Sequence, residues 1–430
     1  MPYGPFEIAS IIVAAAALAG YVNDLTLKLP QTIALTVMGV VASIAVIVVD
    51  AIIPGANIDR AAADFMNSID FRSALLNVML SFLLFAGALQ LDLKEMRRGE
   101  WLIAALSTAG VAISTLIVAT GFWGLSHFLG LEVPFSWCLV FGALISPTDP
   151  VAIIALLQQS AAPPLLKTTV ASESLFNDGV AVVIFAIALA AATSGRTFGP
   201  LEGIWLFVVE AGGGAALGLA LGFVGFVMMR SIDDYVTVAL ISLALTMAGY
   251  SVATPLGVSG PVAMAVAGVV VGNFAVKRAM SDTTRNHFLG FWDLVERVLN
   301  ATLFLLIGLQ GVTLLERWGL LAVGLACIPL VLLARAASVL PPLELWRRLV
   351  TVRQAFPILT WGGLRGGLCI AMALSLPKSP VRDVVLASTY VVVLFSVIVQ
   401  GITMNLVIRR ALTPGAAGRP SAVASGGAAQ

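Results

Sequence analysis

Apolar runs of roughly 20 residues recur along the 430-residue chain, separated by short polar links. A helix needs about 20 predominantly apolar residues to cross a bilayer core. The pattern therefore predicts thirteen spanning helices, near 7–23, 30–53, 73–91, 101–127, 134–158, 166–194, 201–229, 234–253, 257–276, 288–311, 315–339, 355–377 and 383–408. Composition agrees: 59% hydrophobic residues, 11% charged residues and a mean hydropathy of +1.01 leave too little polar surface for a soluble globule. The expected fold is an all-α polytopic membrane protein, and a lipid bilayer is its first partner. Nothing points to nucleic acid.

Basic residues set the expected orientation, because cytoplasmic loops are enriched in Lys and Arg. With the end carrying Arg409, Arg410 and Arg419 placed inside, the inner loops hold fifteen basic residues, among them Lys94, Arg97, Lys277 and Arg347. The outer loops hold six: Arg60, Arg72, Arg196, Arg317, Lys378 and Arg382. Thirteen crossings then place the N-terminus outside and the C-terminus in the cytoplasm, in a cell membrane of bacterial inner-membrane type. The first apolar run lacks the basic flank and cleavage site of a secretory signal and reads as a retained helix. Residues 1–410 form the membrane domain. The Gly/Ala/Ser/Pro-rich stretch over 411–430 is expected to be a short disordered cytoplasmic tail. Cys138, Cys327 and Cys369 fall inside spans, where small hydrophobic packing is their expected role.

An odd number of spans with opposite termini has a symmetry consequence. With the seventh span in the middle, the first six and the last six run in opposite senses, as inverted repeats do. The fifth and twelfth spans then correspond, and both carry helix breakers at mid-length: Ser146-Pro147-Thr148-Asp149-Pro150 and Gly362-Gly363-Leu364-Arg365-Gly366-Gly367. Matched interrupted helices point to a transport site at the bilayer midplane. Pro147 and Pro150 remove amide donors and bias Ser146 and Asp149 away from the helix, so carbonyls near Thr148 become available to a cation. Asp149 reads equally as a cap for a half-helix N-terminus or as a direct ion ligand.

The sixth span carries Glu173, Ser174, Asn177 and Asp178 in an otherwise apolar run. An ionised Asp at membrane depth costs roughly 2.5 to 3.5 kcal/mol even on lenient scales, so such residues need partners or a purpose. At 100° per residue Glu173 and Asn177 share one stripe, and Ser174 and Asp178 share the next. Glu173 suits a bidentate pair with Arg365, with the Asn177 amide completing the network. Asp178, the Ser174 hydroxyl and loose carbonyls offer the hard oxygens an alkali cation prefers.

These three motifs, in this order, resemble the NhaP and NHE branch of the cation/proton antiporters. The likeness extends to Phe85–Leu89 and to Leu305-Leu306-Ile307-Gly308-Leu309-Gln310. It implies an NhaA-like antiporter fold, with a homodimer of 13-helix protomers. Each protomer has a core domain around helices 3–6 and 10–13 that moves against a dimerisation domain. It implies that Asp178 alternately holds cation and proton, with Ser174 and the Thr148 carbonyl as co-ligands of Na⁺ or Li⁺. Glu173, Asn177 and Arg365 become the supporting network, and Asp149 a site residue that orients it. It further implies a role in pH homeostasis and sodium tolerance. Some relatives carry a Glu near the position of Ala86, and its absence here leaves the choice among Na⁺, Li⁺ and K⁺ open.

A buried carboxylate is stable when neutralised, so a proton and a cation compete for Asp178. With the uncharged Asn177 beside it, one titrating carboxylate turns over per cycle, which predicts electroneutral one-for-one exchange by alternating access. No cofactor and no catalytic role are expected. The competing readings are a K⁺/H⁺ antiporter, a proton-coupled organic-solute transporter, a cation channel and, from Gly257-Val258-Ser259-Gly260, an intramembrane serine protease without a facing His. Glu210, Asp293, Glu296, Arg297 and Arg335 are expected to pair structurally or to snorkel, with Arg297 neutralising Glu296. Gly214, Gly218 and Gly222 are expected to meet a partner protomer or the core domain closely.

Overall fold

The computed structural model describes residues 4–53, 62, 65, 79–149, 151–194, 199–314 and 318–413. The start of the third predicted span, Pro150, the residues Arg60, Arg72, Arg196 and Arg317 expected in outer loops, and the tail beyond Thr413 lie outside them. The described residues are helical and contain no strand.

The helices in chain order are α1 (Pro5–Leu25), α2 (Gln31–Ile52), α3 (Leu80–Leu89), α4 (Glu100–Phe128), α5 (Phe135–Ile145), α6 (Val151–Gln158) and α7 (Pro164–Ser194). They continue as α8 (Leu201–Met229), α9 (Tyr235–Ala253), α10 (Gly260–Val276), α11 (Asp282–Leu309), α12 (Trp318–Leu345), α13 (Val352–Trp361), α14 (Gly367–Leu374) and α15 (Pro380–Leu412). Eight of these, α1, α2, α4, α7, α8, α9, α12 and α15, are long and apolar enough to cross a membrane, among the described residues. Side chains start several of them. Asp234 accepts the Thr237 amide at α9, Ser281 the Thr284 amide at α11 and Ser379 the Arg382 amide at α15. Ser259 caps α10 in the same way, accepting the Val262 amide at 3.4 Å. The Gly-x-Ser-Gly match is therefore a helix start.

Two groups of helices emerge from the packing. In one, α3, α8, α9, α10 and α11 contact each other, with α1 and α2 against α11. The other joins α4, α5, α7, α12, α13, α14 and α15. The third and tenth predicted spans, α3 and α11, therefore pack mainly with the first group. Trp292 of α11 is a hub there: its ring centroid lies 4.8 Å from that of Phe85, and its indole N–H donates to the Ser242 hydroxyl at 3.0 Å. An aromatic this large contributes most when its one polar atom is paired.

Glycine allows the closest approaches. Gly214, Gly218 and Gly222 of α8 face α10 of the same chain, at Ser259, Ala263, Val266 and Val270. That contact is neither a partner protomer nor the helices carrying the predicted site. Where α2 crosses α11, a Cβ on Gly39 would lie 2.8 Å from both the Gly308 Cα and the Leu305 carbonyl oxygen. Ser43 on the same face donates to the Gly308 and Leu309 carbonyls, each at 3.1 Å. Gly39→Val forces these backbones apart, and overpacking of this kind costs about 1–3 kcal/mol. A lower melting temperature in detergent, with Gly39→Ala falling between parent and valine variant, is the expected result. An unchanged melting temperature for valine contradicts the tight crossing.

The C-terminal end of α3 is tied down by polar contacts. Asn273, in a π turn of α10, donates to the Leu91 and Val269 carbonyls and accepts the Leu93 amide. Asp92 pairs with Lys277 at 2.9 Å, and that hydrogen bond, helped by the Lys94 amide, holds the Asp92 carboxyl below the usual carboxylate range. Its stabilising contribution is present above the ordinary carboxylate pKa and fades as pH falls through the lowered one. Both side chains are exposed, so the contribution is small.

Candidate functional site

Both predicted breaks are places where helical backbone stops. Helix α5 ends at Ile145 and α6 begins at Val151. Ser146 stays in the right-handed helical region (φ −80°, ψ −31°) although Pro147 follows it, and its amide closes the last turn onto the Ala143 carbonyl. Helix α13 ends at Trp361 and α14 begins at Gly367. The two non-helical stretches bond to each other, the Asp149 amide donating to the Leu364 carbonyl at 2.7 Å. The Asp149 carboxylate lies against Gly366, at the start of α14, where a Cβ would collide with it. This places the Asp149 charge beside the second break.

Helix α7 delivers its polar residues in the predicted stripes. The Asn177 amide nitrogen donates to Glu173 Oε1 at 2.8 Å and to the Thr148 hydroxyl at 2.7 Å. Its oxygen accepts the Thr148 amide at 3.2 Å. The Ser174 and Thr148 hydroxyls are 3.2 Å apart. Glu173, Ser174, Asn177 and Thr148 are all buried. Asn177 thus uses both ends of its amide to join the first break to α7, as a buried amide must.

The partner of Glu173 is Arg335, not Arg365. The Arg335 guanidinium grips the carboxylate with two bonds of 2.8 and 3.0 Å, and its Nε donates to the Leu359 carbonyl at 3.1 Å. Gly363 leaves room for it, since a Cβ there would lie 2.6 Å from Arg335 Nε. Read from hydropathy, the eleventh span ends near 339, which puts Arg335 within reach of the membrane surface. In the structure α12 continues to Leu345, so Arg335 sits roughly 15 Å short of the helix end, too deep to snorkel. At 5% exposure it is a pairing residue. The available signal was its rarity, because Arg297, Arg335 and Arg365 are the three basic residues that fall at or within predicted spans rather than in loops.

Arg365 instead serves the first break. Its Nη1 donates to the Ser146 carbonyl and, at 2.8 Å, to the Pro147 carbonyl. The carbonyls that the prolines release are therefore held by a cation of the protein itself. Thr148 bonds through its hydroxyl and amide. Two cavities of about 10 Å³ flank Arg365, one bordered by Arg335 and Gln400, the other by Asp149 and Thr32.

Asp178 stands apart from this network. It is partly exposed and makes no hydrogen bond or ion pair among the described residues. Asp149, Glu173 and Arg365 are the charged groups within electrostatic reach. Leu175 touches Gly87 of α3, and Gly179 lies against Val262 of α10. Asp178, roughly 60° round the helix from Leu175, therefore faces the seam between the two groups of helices.

Arg297 pairs with Asp293 at 2.8 Å rather than with Glu296, which accepts from Gln90 at 3.4 Å. One helical turn favours the Asp293 pair, since residues four apart share a face and adjacent ones do not. Cys138, Cys327 and Cys369 are buried free thiols. His127 and His287 stack on Trp123 and Tyr235.

Comparison with known proteins follows the same lines. The Na⁺/H⁺ antiporter NhaP of Pseudomonas aeruginosa is 40% identical over 419 residues, covering 94% of this chain and 96% of the relative. The Na⁺/H⁺ antiporter NhaH of Halobacillus dabanensis is 32% identical, covering 89% and 92%. The solved structure of the sodium proton antiporter MjNhaP1 from Methanocaldococcus jannaschii superimposes with a TM-score of 0.71 over 94% of this chain and 98% of that one, at 20% identity, and so speaks to the fold. The family of transmembrane sodium/hydrogen exchangers matches residues 13–410. With nearly the whole helical portion matched, this multi-pass membrane protein belongs to the sodium/hydrogen exchanger family.

Proposed function

We propose that the chain exchanges Na⁺ for H⁺ one for one by alternating access, with Asp178 as the group that the two ions share. Na⁺/H⁺ exchange is the activity of the family and the named activity of its curated relatives. The observation that carries the site assignment is the state of Asp178: a carboxylate at membrane depth, partly accessible, with no protein partner among the described residues. Such a group needs a neutralising ion. The Ser174 hydroxyl, one helical turn before it, and the Thr148 hydroxyl, 3.2 Å from that of Ser174, are the oxygens we assign as its co-ligands, of the hard kind alkali cations take.

Charge counting favours electroneutrality. Glu173 and Arg335 cancel as a pair, and Arg365 is bonded to the backbone carbonyls of the first break. Asp178 is left as one charge that either H⁺ or Na⁺ cancels, so both loaded forms cross with the same net charge. The ionised empty form is the costly one to move through the seam, and this couples the two fluxes. We read α5 with α6, and α13 with α14, as two interrupted crossings in a 13-helix protomer with inverted repeats, an N-terminus outside and a homodimeric assembly. The moving core is α4–α7 with α12–α15. Relative to the sequence expectation, α3 and α11 join the static side because their contacts lie there.

In proteoliposomes with an imposed pH gradient, Na⁺ addition dissipates the gradient at the same rate whether the membrane potential is clamped at zero or at negative values. A rate that follows the potential overturns the one-for-one ratio. Substituting Li⁺ or K⁺ in the same assay ranks the cations, and a faster response to K⁺ selects the K⁺/H⁺ alternative.

A further inference from the structure

Helix α15 contains a π turn over Ser396–Gln400, next to the second break. Such turns re-aim side chains at the cost of regular bonding. Here the two re-aimed groups are polar and buried, with Ser396 at 0% and Gln400 at 2% exposure. The Ser396 hydroxyl accepts the Arg365 amide at 2.9 Å and donates to the Gln400 side-chain oxygen. The Gln400 amide donates to the Trp361 carbonyl at 2.9 Å. Trp361 is the last residue of α13 and Arg365 lies inside the break, so this relay grips the break on both sides.

The grip has a route to the ion site. The Arg365 backbone is anchored by Ser396, its guanidinium holds the Ser146 and Pro147 carbonyls, and Thr148 follows directly in the chain. Thr148 in turn meets Ser174 and Asn177 on α7. Leu364, one residue before Arg365, accepts the Asp149 amide. Displacing the Arg365 backbone therefore moves both the first break and its hydroxyl relative to Asp178.

We propose that Ser396 and Gln400 are positioning residues of the cation site, holding the second break in register with the first through the Arg365 backbone. Neither touches the ion. Their loss loosens the oxygen surrounding of Asp178 and so weakens cation binding, while the carboxylate that carries the proton is intact. This inference rests on the assignment of the ion site to Asp178.

The test measures Na⁺-dependent dissipation of a pH gradient in proteoliposomes over a range of Na⁺ concentrations. Gln400→Ala and, independently, Ser396→Ala raise the apparent KM for Na⁺ about tenfold, the scale of one lost buried hydrogen bond, with maximal rates within about twofold of the parent. Ser396→Thr keeps the hydroxyl and returns KM to near the parent value. Thr403→Val is the control: it removes the acceptor of the Trp361 indole on the same helix but no bond to the break's backbone, and leaves KM unchanged. A purely structural role lowers melting temperature or maximal rate at constant KM. That outcome in folded Gln400→Ala or Ser396→Ala overturns the proposal, as does an equal KM rise in Thr403→Val. Retained exchange in Asp178→Asn removes the ion site itself, which a constant KM in the relay variants does not.

Discussion

Asp178→Asn is expected to reduce Na⁺-driven dissipation of an imposed pH gradient to the background of protein-free liposomes. Asparagine has nearly the same shape and cannot ionise, so it neither releases a proton nor compensates the charge of a cation. The substitution removes no hydrogen bond or ion pair among the described residues. Folding should be untouched or improved, because a charge in a membrane helix without a hydrogen-bonded protein partner opposes folding. Yield and melting temperature equal to or above the parent, together with lost exchange, make the two effects separable. Asp178→Glu keeps the charge but displaces it by one methylene and is expected to keep part of the activity. An Asp178→Asn variant that still exchanges ions at the parental rate would mean that the shared group lies elsewhere.

Arg335→Ala is expected to be the most destabilising change in the protein. It leaves the Glu173 carboxyl buried with, among the described residues, the Asn177 amide as its remaining hydrogen-bond partner. Removing one member of a buried pair costs about 3–5 kcal/mol, against a total stability of about 5–15 kcal/mol for an ordinary domain. Little folded protein should elute from size-exclusion chromatography. The double substitution Glu173→Gln with Arg335→Leu removes both charges while Gln can still accept from Asn177, and should recover yield above Arg335→Ala. Arg365→Ala works differently: it frees the Ser146 and Pro147 carbonyls but strands no carboxylate, so a larger share of the protein should fold. If Arg365→Ala were the more damaging of the two and the double variant gave no recovery, the Glu173–Arg335 pair would not be the anchor of α7.

Much of this could be read along the chain because local rules govern it. Membrane helices satisfy their own backbone, so their existence follows from apolar length alone. The Glu173/Asn177 stripe, the breaks at Pro147 and at Gly362 to Gly367, and the Ser259 turn are all features of short segments. Each appears in the structure where its spacing places it.

The arginine partner was not legible. Two buried guanidinia were available to Glu173, and bidentate chemistry suits both equally. What separates them is that α12 brings Arg335 to Glu173, while Arg365 emerges from the second break facing the backbone carbonyls of the first. The assignments of Arg297 to Asp293 and of the α8 glycines to α10 differ from expectation for similar reasons, one of helical register and one of neighbourhood. The Ser396–Gln400 relay left no mark, since Ser and Gln in a long apolar helix look like tolerated polar residues until the π turn aims them at Arg365.

The amino-acid order alone thus determines that the chain is helical and apolar, where helical backbone stops at the two Pro- and Gly-rich stretches and which residues of the sixth predicted span share a polar stripe, because hydrophobicity, proline and helical period act over a few residues. Which charges pair and which helices pack against one another are decided by contacts between residues far apart in the chain. Glu173 and Arg335 are separated by 162. No local pattern encodes such a pairing, since it exists once the helices have packed.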